Sequence, residues 1–160
     1  MLKAAKSSLR RAGDARFAII ASKYNSTYVD AMLRAAQVEL KRAGAKHVAV
    51  VRVPGAFEIP VVAARLARQA AESSRSYAAL ICLGVILRGE TVHAAHIGEA
   101  VSGALMDIQV RFEVPVIHEV LLLENEAQAR VRCLDRKHNR GTEAAQTALM
   151  MAGLMKRLGT

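Results

Sequence analysis

Apolar residues in this chain form short runs that alternate with stretches of helical periodicity. The clearest run covers residues 78–87, is interrupted only by Gly84, and ends in the polar segment RGETVH (88–93). A run of this length and composition predicts a strand that is buried on both faces, as in a parallel sheet. From His93 to Ile108, apolar residues recur every three or four positions, which predicts a helix. The polar segment therefore lies between the carboxyl end of a strand and the start of a helix.

The same alternation recurs along the rest of the chain. Strands are predicted at residues 15–22, 47–53 and 78–87, with a fourth that begins at Pro115. Helices are predicted from Ser26 or Thr27 as the cap to about Gly44, from about Glu58, from His93 to about Arg111, over 125–135 and over 141–158. This order predicts a three-layer α/β/α domain, with a four-stranded parallel sheet and helices on both faces.

Residues 1–14 show weak periodicity and a Gly13–Asp14 break, so we expect a basic, flexible extension followed by one α/β domain at 15–160. The chain has 23 Lys and Arg residues against 14 Asp and Glu, a net charge of +9. The basic residues of the amino-terminal segment are Lys3, Lys6, Arg10, Arg11 and Arg16. Such a balance favours anionic partners, which include phosphorylated metabolites, RNA and acidic lipid, or it reflects only a solvated tail and a basic face. With 4% aromatic residues and no RNA-stacking motif, sequence-specific nucleic-acid binding is disfavoured.

The 160 residues suit a single domain with its own core. We expect a cytoplasmic protein, because no apolar run has the length of a membrane span or the position of a signal peptide. Cys82 and Cys133 have no spacing typical of zinc ligands or of a disulfide framework, and we interpret both as free thiols.

Polar clusters follow the predicted strands: KYN (23–25), GAFE (55–58) and RGETVH (88–93) follow the first three, and HEVLLLEN (118–125) accompanies the fourth. The carboxyl ends of parallel strands meet at one edge of a sheet, where ligands bind in open α/β folds. The four clusters together therefore predict a ligand site at that edge.

His93 is the first candidate for chemistry at this site. A neutral histidine at the start of a helix can accept and return a proton, although a lone histidine there can also simply cap the helix. Gly89, Glu90 and Thr91 favour the chemical interpretation, because free backbone N–H groups beside a hydroxyl bind anions. His96 forms an HxxH pair with His93, but zinc-binding helices use a spacing of four residues, so a metal is disfavoured.

Two further groups are candidates for binding. One residue of a basic segment could grip a phosphate, or the segment could be a solvated helix face, and spacing alone does not choose among Arg130, Arg132, Arg136, Lys137 and Arg140. Phe57 and Glu58 pair a ring with a hydrogen-bond acceptor after a Pro–Gly turn, although a carboxylate at a helix start is also an ordinary cap.

Four motifs of this sequence resemble those of the lumazine synthase family: VPGAFEIP (53–60), LG followed by RGETVH (83–93), ENEAQARVR (124–132) and NRGTEAA (139–145). The resemblance implies condensation of 5-amino-6-(D-ribitylamino)uracil with 3,4-dihydroxy-2-butanone 4-phosphate to 6,7-dimethyl-8-ribityllumazine, with no metal or organic cofactor. It also implies a flavodoxin-like sheet and pentamers, often twelve of them in an icosahedral shell. Riboflavin synthase becomes a candidate partner.

The resemblance also implies roles for individual residues. His93 corresponds to the family's proton-transfer histidine, and Arg132 corresponds to its phosphate-binding arginine. Glu90 and Thr91 correspond to positions that hold the same phosphate. The positions that bind the pyrimidine and its ribityl chain correspond to Tyr24, Asn25, Ala56, Phe57, Glu58, Val85, Ile86, Leu87 and His118. In this family the site is shared between neighbouring subunits.

The sequence departs from the family pattern at several positions. Ala94–Ala95–His96 replaces an aromatic-acid-aromatic triplet, His118–Glu119 replaces Phe–Gly, Leu122 and Leu123 replace a threonine-rich pair, and Arg140 replaces lysine. An imidazole at 118 can still stack and donate hydrogen bonds, and Glu119 is expected to pair with His118 or with a neighbouring subunit. Two alternatives to an enzyme therefore stay open: a non-catalytic flavin- or lumazine-binding module, and a shell-forming structural protein whose basic tail holds nucleic acid.

Overall fold

A computed structural model describes residues 12–72, 76–89 and 92–159 of the chain. Its four strands form one parallel sheet in the order β2-β1-β3-β4. The strands are β1 (Arg16–Ser22), β2 (His47–Val53), β3 (Ala79–Leu87) and β4 (Val116–Leu123). The predicted four-stranded parallel sheet is confirmed, and each strand begins within one residue of its predicted start.

Five α-helices accompany the sheet. They are α1 (Ser26–Arg42), α2 (Ile59–Glu72), α3 (His93–Phe112), α4 (Glu126–Ala129) and α5 (Arg140–Leu158). A 3-10 turn, Ala56–Glu58, precedes α2, and a π-helical turn, Arg130–Leu134, follows α4. The helix predicted over 125–135 is therefore only partly α-helical.

The predicted cap of α1 is wrong. Neither Ser26 nor Thr27 occupies the cap position, because Asn25 does so with a left-handed backbone (φ 54°) and makes no side-chain capping bond. Its side-chain Nδ2 instead donates a 2.7 Å hydrogen bond to the carbonyl of Val85, at the end of β3. Asparagine tolerates this backbone conformation better than most residues, and a bond to a strand 60 positions away leaves no local sequence signal.

Side chains alternate between two hydrophobic layers because successive residues of a strand point to opposite faces. Phe17 and Ile19 of β1 pack with α1 and α5 on one face, whereas Ala18 and Ile20 pack with α2 and α3 on the other. The predicted three-layer α/β/α arrangement is confirmed. Cys82 lies entirely within the second layer as a free thiol, and burial raises its pKa to about 12.

Close contact between α1 and α5 depends on Gly141. A Cβ atom at this position would overlap the backbone carbonyl of Met32, so only glycine fits. The side chain of Asn139 caps α5 by accepting from the Gly141 N–H at 2.9 Å and also donates to the carbonyl of Cys133. These contacts position the start of α5, and hence Arg140, beside β4.

Most of the predicted basic extension, residues 1–14, lies outside the described residues. Ala12 is the first described residue, and its N–H donates a 2.9 Å hydrogen bond to the carbonyl of Ala43 at the end of α1. Arg16 begins β1, with its guanidinium 5.6 Å from the centre of the Tyr77 ring. Among the helices of the described chain, none has the length and apolarity needed to cross a membrane.

Candidate active site

A cavity of about 610 Å³ opens at the carboxyl ends of β1, β2 and β3. The helices that follow β1 and β3 lie on opposite faces of the sheet, so a crevice is left between the two central strands. The cavity is lined by Tyr24, Asn25, Gly55, Ala56, Phe57, Glu58, Val85, Ile86, Leu87, Gly89, His93, Ala94 and Ile97. Three of the four polar clusters that the sequence singles out thus meet at one place.

The β1–α1 loop contributes Tyr24 and Asn25. The side chain of Tyr24 is 72% exposed, which is unusual for a large ring on a well-packed domain. Its backbone N–H is bonded to the carbonyl of Pro54 at 3.1 Å, so the loops after β1 and β2 are tied together. With Asn25 bonded to Val85, the β1–α1 loop is fixed to both neighbouring strand ends.

The turn after β2 holds Glu58 in a defined position. The N–H of Gly55 donates to Glu58 Oε2 at 2.8 Å. A Cβ atom on Gly55 would lie 2.9 Å from that same oxygen and 3.1 Å from Cδ2 of Tyr24, so glycine allows the ring and the carboxylate to approach this turn. Phe57 follows with a side chain that is 62% exposed. The turn therefore presents a second exposed ring and a carboxylate with one oxygen not used by Gly55.

The third wall comes from the end of β3 and the start of α3. His93 is the first residue of α3 and is exposed at the cavity. Ala94 and Ile97 of the same helix line the cavity as apolar neighbours. Glu90 and Thr91, for which the resemblance implies phosphate binding, lie outside the described residues. The imidazole thus stands next to an apolar wall that belongs to its own helix.

Two predicted site residues, His118 and Arg132, do not line this cavity. His118 is the third residue of β4 rather than a residue at its carboxyl end, so it does not reach the cavity. The other end of the fourth cluster does meet the third, because Arg88 Nη1 donates to Glu124 at 2.9 Å. Both nitrogens of its ring are engaged: Nδ1 is 3.2 Å from the backbone N of Val120, and Nε2 is 2.8 Å from Ser102 Oγ. Burial lowers the pKa of His118.

Arg132 belongs to a charged group on the opposite face of β4, which we call the β4 cluster: Glu119, Arg132, Arg140 and Glu143. Glu119 is only 6% exposed and accepts a 3.0 Å hydrogen bond from Arg140 Nε, while Arg140 Nη1 donates to Glu143 at 2.5 Å. Burial raises the pKa of Glu119, and the charges of Arg140 and then Arg132 oppose that rise. Arg132 itself is exposed in the π-helical turn.

Of the two partners suggested for Glu119, His118 is wrong. Glu119 Oε2 instead accepts from Arg140 of its own chain. Adjacent residues of a strand point to opposite faces, so His118 faces α3 and Glu119 faces α5.

Several residues of the site were missed by sequence reasoning. Gly55 and Gly89 lie in the polar clusters that predict the site, but neither was given a binding role of its own at the cavity. Ala94 was noted only as a departure from the family pattern, and Ile97 gave no signal, since an isoleucine at helical spacing is equally typical of a core. Glu143, bonded to Arg140, gave none.

A second cavity, of about 820 Å³, opens at the opposite end of the sheet. It lies near the starts of β1 and β3 and the end of α5, and none of the predicted site residues lines it. Despite its larger volume, it is remote from the strand ends at which α/β folds bind ligands. Within the described ranges, no three His, Cys, Asp or Glu side chains are grouped as a metal site.

Comparisons with known proteins show the family of this chain. A family model described as 6,7-dimethyl-8-ribityllumazine synthase matches residues 14–156. A protein of that name from Stenotrophomonas maltophilia (strain R551-3) is 38% identical over 152 residues, which cover 94% of this chain and 95% of the relative. Another, from Xanthomonas oryzae pv. oryzae (strain PXO99A), is 38% identical over 146 residues, 90% of this chain and 92% of the relative. This chain belongs to the 6,7-dimethyl-8-ribityllumazine synthase family.

Proposed function

We propose that this chain is a transferase of riboflavin biosynthesis that condenses 5-amino-6-(D-ribitylamino)uracil with 3,4-dihydroxy-2-butanone 4-phosphate. The products are 6,7-dimethyl-8-ribityllumazine, phosphate and water. One observation carries the proposal: a single cavity is lined by nine residues that the resemblance implies, namely Tyr24, Asn25, Ala56, Phe57, Glu58, Val85, Ile86, Leu87 and His93. They come from three separate stretches of the chain, at the carboxyl ends of β1, β2 and β3, so their meeting is a property of the fold.

The cavity is suited to a flat heterocycle that carries a polyhydroxyl chain. The exposed ring of Tyr24 offers a stacking surface for the pyrimidine. The carboxylate of Glu58, held by Gly55, can accept hydrogen bonds from ribityl hydroxyls. The Val85 carbonyl accepts from Asn25, which fixes the loop, and it can accept a second hydrogen bond. We assign recognition of the pyrimidine to the backbone of Val85, Ile86 and Leu87 at the end of β3.

His93 is proposed to move the protons of the reaction. The 5-amino group adds to the ketone of the second substrate, and loss of water gives an imine. Removal of the proton from the adjacent hydroxyl-bearing carbon then expels phosphate and leaves an enol, which tautomerises to a new ketone at that carbon. The ribityl-bearing nitrogen closes the ring on this ketone with loss of a second water. An exposed imidazole at the cavity wall can take up and return protons in these steps.

We assign phosphate binding to Arg132, and propose that a neighbouring copy of the chain supplies it together with His118. This is supported by their absence from the lining of the cavity that holds the other residues. A cyclic pentamer would repeat one contact between the two surfaces around the ring. We further propose that pentamers assemble into an icosahedral shell in the cytoplasm, that residues 1–14 form a basic extension of the domain, and that riboflavin synthase is a partner.

The test combines two inactive variants. His93→Ala should lower kcat by about 100-fold without preventing assembly, the usual scale for a positioned acid–base group. Arg132→Ala should also lower activity, because it removes the phosphate-binding group that we propose the neighbouring subunit supplies. If the site is shared, subunits of the two variants unfolded together and reassembled at equal amounts should recover about a quarter of wild-type activity, because about one interface in four then carries both intact parts.

Three outcomes decide the proposal. Recovery of activity on mixing supports a shared site, whereas no recovery from mixed particles of correct mass would contradict it. A wild-type chain that assembles and binds riboflavin but forms no fluorescent lumazine from the two substrates would replace the enzyme with a binding module. Nucleic acid that copurifies at low salt, and is lost when residues 1–14 are deleted, would instead support the shell-forming alternative.

A further inference from the structure

The ring of His118 is held at both ends by groups of its own chain. Nδ1 lies 3.2 Å from the backbone nitrogen of Val120, and Nε2 lies 2.8 Å from Oγ of Ser102 on α3. The Ser102 hydroxyl is in turn 2.8 Å from the carbonyl oxygen of Gly98, one helical turn earlier. A chain of three hydrogen bonds therefore connects β4 to α3 through the imidazole.

The direction of this chain is determined by its two ends. The backbone N–H of Val120 can only donate, so Nδ1 must accept and carries no proton. The neutral ring then bears its proton on Nε2 and donates to Ser102 Oγ, while the hydroxyl proton of Ser102 goes to the carbonyl of Gly98. The other tautomer would place two donors against each other at Nδ1.

The position of β4 at the sheet edge makes the Val120 N–H available. The N–H of Leu80 bonds to the carbonyl of Pro115, and the N–H of Arg88 bonds to that of Leu123, so odd-numbered residues of β4 face β3. The intervening N–H groups of residues 116, 120 and 124 face away, and they donate to the side chains of Gln109, His118 and Gln128. His118 thus satisfies one N–H of the sheet edge and is held there.

With both nitrogens occupied, the ring of His118 can offer a ligand only its faces and its C–H edge. Burial lowers the pKa of His118, which favours the neutral form. A neutral, flat imidazole can pack against a heteroaromatic ring as a phenyl ring does. Unlike a phenyl ring, an imidazole has two nitrogens that need hydrogen-bond partners, and Ser102 and the backbone N–H of Val120 provide them.

We propose that Ser102 is a positioning residue of the reaction: it fixes the tautomer and plane of His118, so that the imidazole packs by its face on the pyrimidine of 5-amino-6-(D-ribitylamino)uracil. This inference rests on the proposed function, and it concerns the position where this chain has histidine in place of the family's phenylalanine. Ser102 itself does not need to touch the substrate.

A double-mutant cycle tests whether Ser102 acts through His118. Ser102→Ala should raise KM for the ribitylaminouracil about fivefold, the scale of one lost hydrogen bond, and change kcat by less than about twofold. His118→Phe keeps a flat ring without nitrogens. In that background Ser102→Ala should change KM by less than about 1.5-fold, because the ring no longer depends on the hydroxyl. An equal rise in both backgrounds, or no rise in the wild-type background, would overturn the inference.

Two controls separate positioning from a general effect on the helix. Thr147 donates from Oγ1 to the carbonyl of Glu143 at 2.9 Å, which is the same type of bond as that of Ser102 to Gly98, with no histidine involved. Thr147→Ala should leave KM unchanged. Ser102→Thr keeps the hydroxyl and should retain the wild-type KM, whereas a KM like that of Ser102→Ala would count against the inference.

A measurement without catalysis distinguishes failure of this inference from failure of the proposed function. Nitrogen-15 NMR of histidine-labelled protein reports the tautomer of each imidazole, and the signals that disappear in His118→Phe identify those of His118. We expect a neutral ring protonated at Nε2 in the wild type and a mixture of tautomers in Ser102→Ala. A wild-type ring protonated at Nδ1, or one unaffected by Ser102→Ala, would overturn the inference. Absence of lumazine formation with the expected tautomer would overturn the proposed function alone.

Discussion

Tyr24 and Phe57 are exposed rings at the mouth of the cavity, whereas the buried carboxylate of Glu119 beside β4 is paired with the half-buried Arg140. The cavity is formed mainly by backbone, glycine and apolar side chains from three strand ends. The β4 cluster instead places two arginines and two carboxylates close together. The first region offers shape and aromatic surface, and the second offers charge.

This difference fits a pair of substrates that need different kinds of binding site. A pyrimidine with a ribityl chain needs a flat slot and a few hydrogen-bonding groups, which the cavity provides. A phosphate needs cations in a fixed geometry. The cluster's two carboxylates balance its two arginines, and Arg140 is held between them, which leaves Arg132 as the exposed guanidinium of the cluster.

Removing the charge of Arg132 should distinguish the role of the β4 cluster from that of the cavity most clearly. In Arg132→Met we expect KM for 3,4-dihydroxy-2-butanone 4-phosphate to rise by about 10-fold or more, because charge-assisted hydrogen bonds to the phosphate are lost. KM for the ribitylaminouracil should change by less than about twofold, since the cavity is intact. Steady-state kinetics with each substrate varied in turn measures both values.

Arg130 is the matched control for this variant. It lies in the same π-helical turn, is exposed, and is paired with Glu126 at 3.6 Å. Arg130→Met removes the same charge and should leave both KM values unchanged. If the two variants behave alike, the effect is one of general electrostatic attraction, and the assignment of phosphate binding to Arg132 is wrong.

A smaller effect is expected from altering the shape of the cavity at Gly55. Its backbone is extended (φ −130°), so Gly55→Ala introduces no backbone strain, but the added methyl crowds the Glu58 carboxylate and the Tyr24 ring. We expect KM for the ribitylaminouracil to rise by about fivefold, comparable to the loss of one hydrogen bond. KM for the phosphate-bearing substrate should stay constant, the reverse of Arg132→Met.

Gly103 provides the control for added volume. A Cβ atom at this exposed position of α3 would meet nothing within 4 Å. Gly103→Ala should leave the kinetics unchanged and stabilise the fold by about 0.5–1 kcal/mol, since alanine is the better helix former. Identical KM values for Gly55→Ala and the wild type would show that the ring and carboxylate can move aside at no cost to binding.

The sequence predicted the sheet well for a physical reason. Residues 78–87 form a run that can be buried only by two covering layers, so the strand, its parallel neighbours and the helices on both faces follow together. The prediction of the α1 cap was wrong because Asn25 is fixed by a hydrogen bond to Val85, and such long-range bonds leave no local pattern in the sequence. The meeting of the segments after β1, β2 and β3 at the cavity was also predictable, since the segments that follow parallel strands lie at one edge of the sheet.

The β4 cluster was much less predictable. Glu119 and Arg140 are 21 positions apart and belong to a strand and a helix whose contact depends on tertiary packing. Spacing could not choose Arg132 from its basic neighbours, and only the resemblance did so. The Ser102–His118 bond was equally hidden, because serine in a helix usually bonds to its own backbone.

The smallest expected effect concerns the charge buried in the β4 cluster. Burial raises the pKa of Glu119, and Arg140 and Arg132 offset this only in part. The folded chain therefore holds this proton more tightly than the unfolded chain, whose pKa is 4.5. Below pH 4.5 Glu119 is protonated in both states, and its tighter hold on the proton contributes fully to the stability of the folded chain. This contribution is lost as the pH rises through the pKa that Glu119 has in the folded chain.

Glu119→Gln removes this titration while keeping the size of the side chain. The free energy of unfolding of the variant, relative to the wild type, should therefore increase as the pH rises from about 4 to about 7. Denaturant unfolding of both proteins at a series of pH values measures this difference. A difference that falls with pH would mean that Arg140 more than compensates the burial of Glu119, and the β4 cluster would then stabilise the fold by its charges.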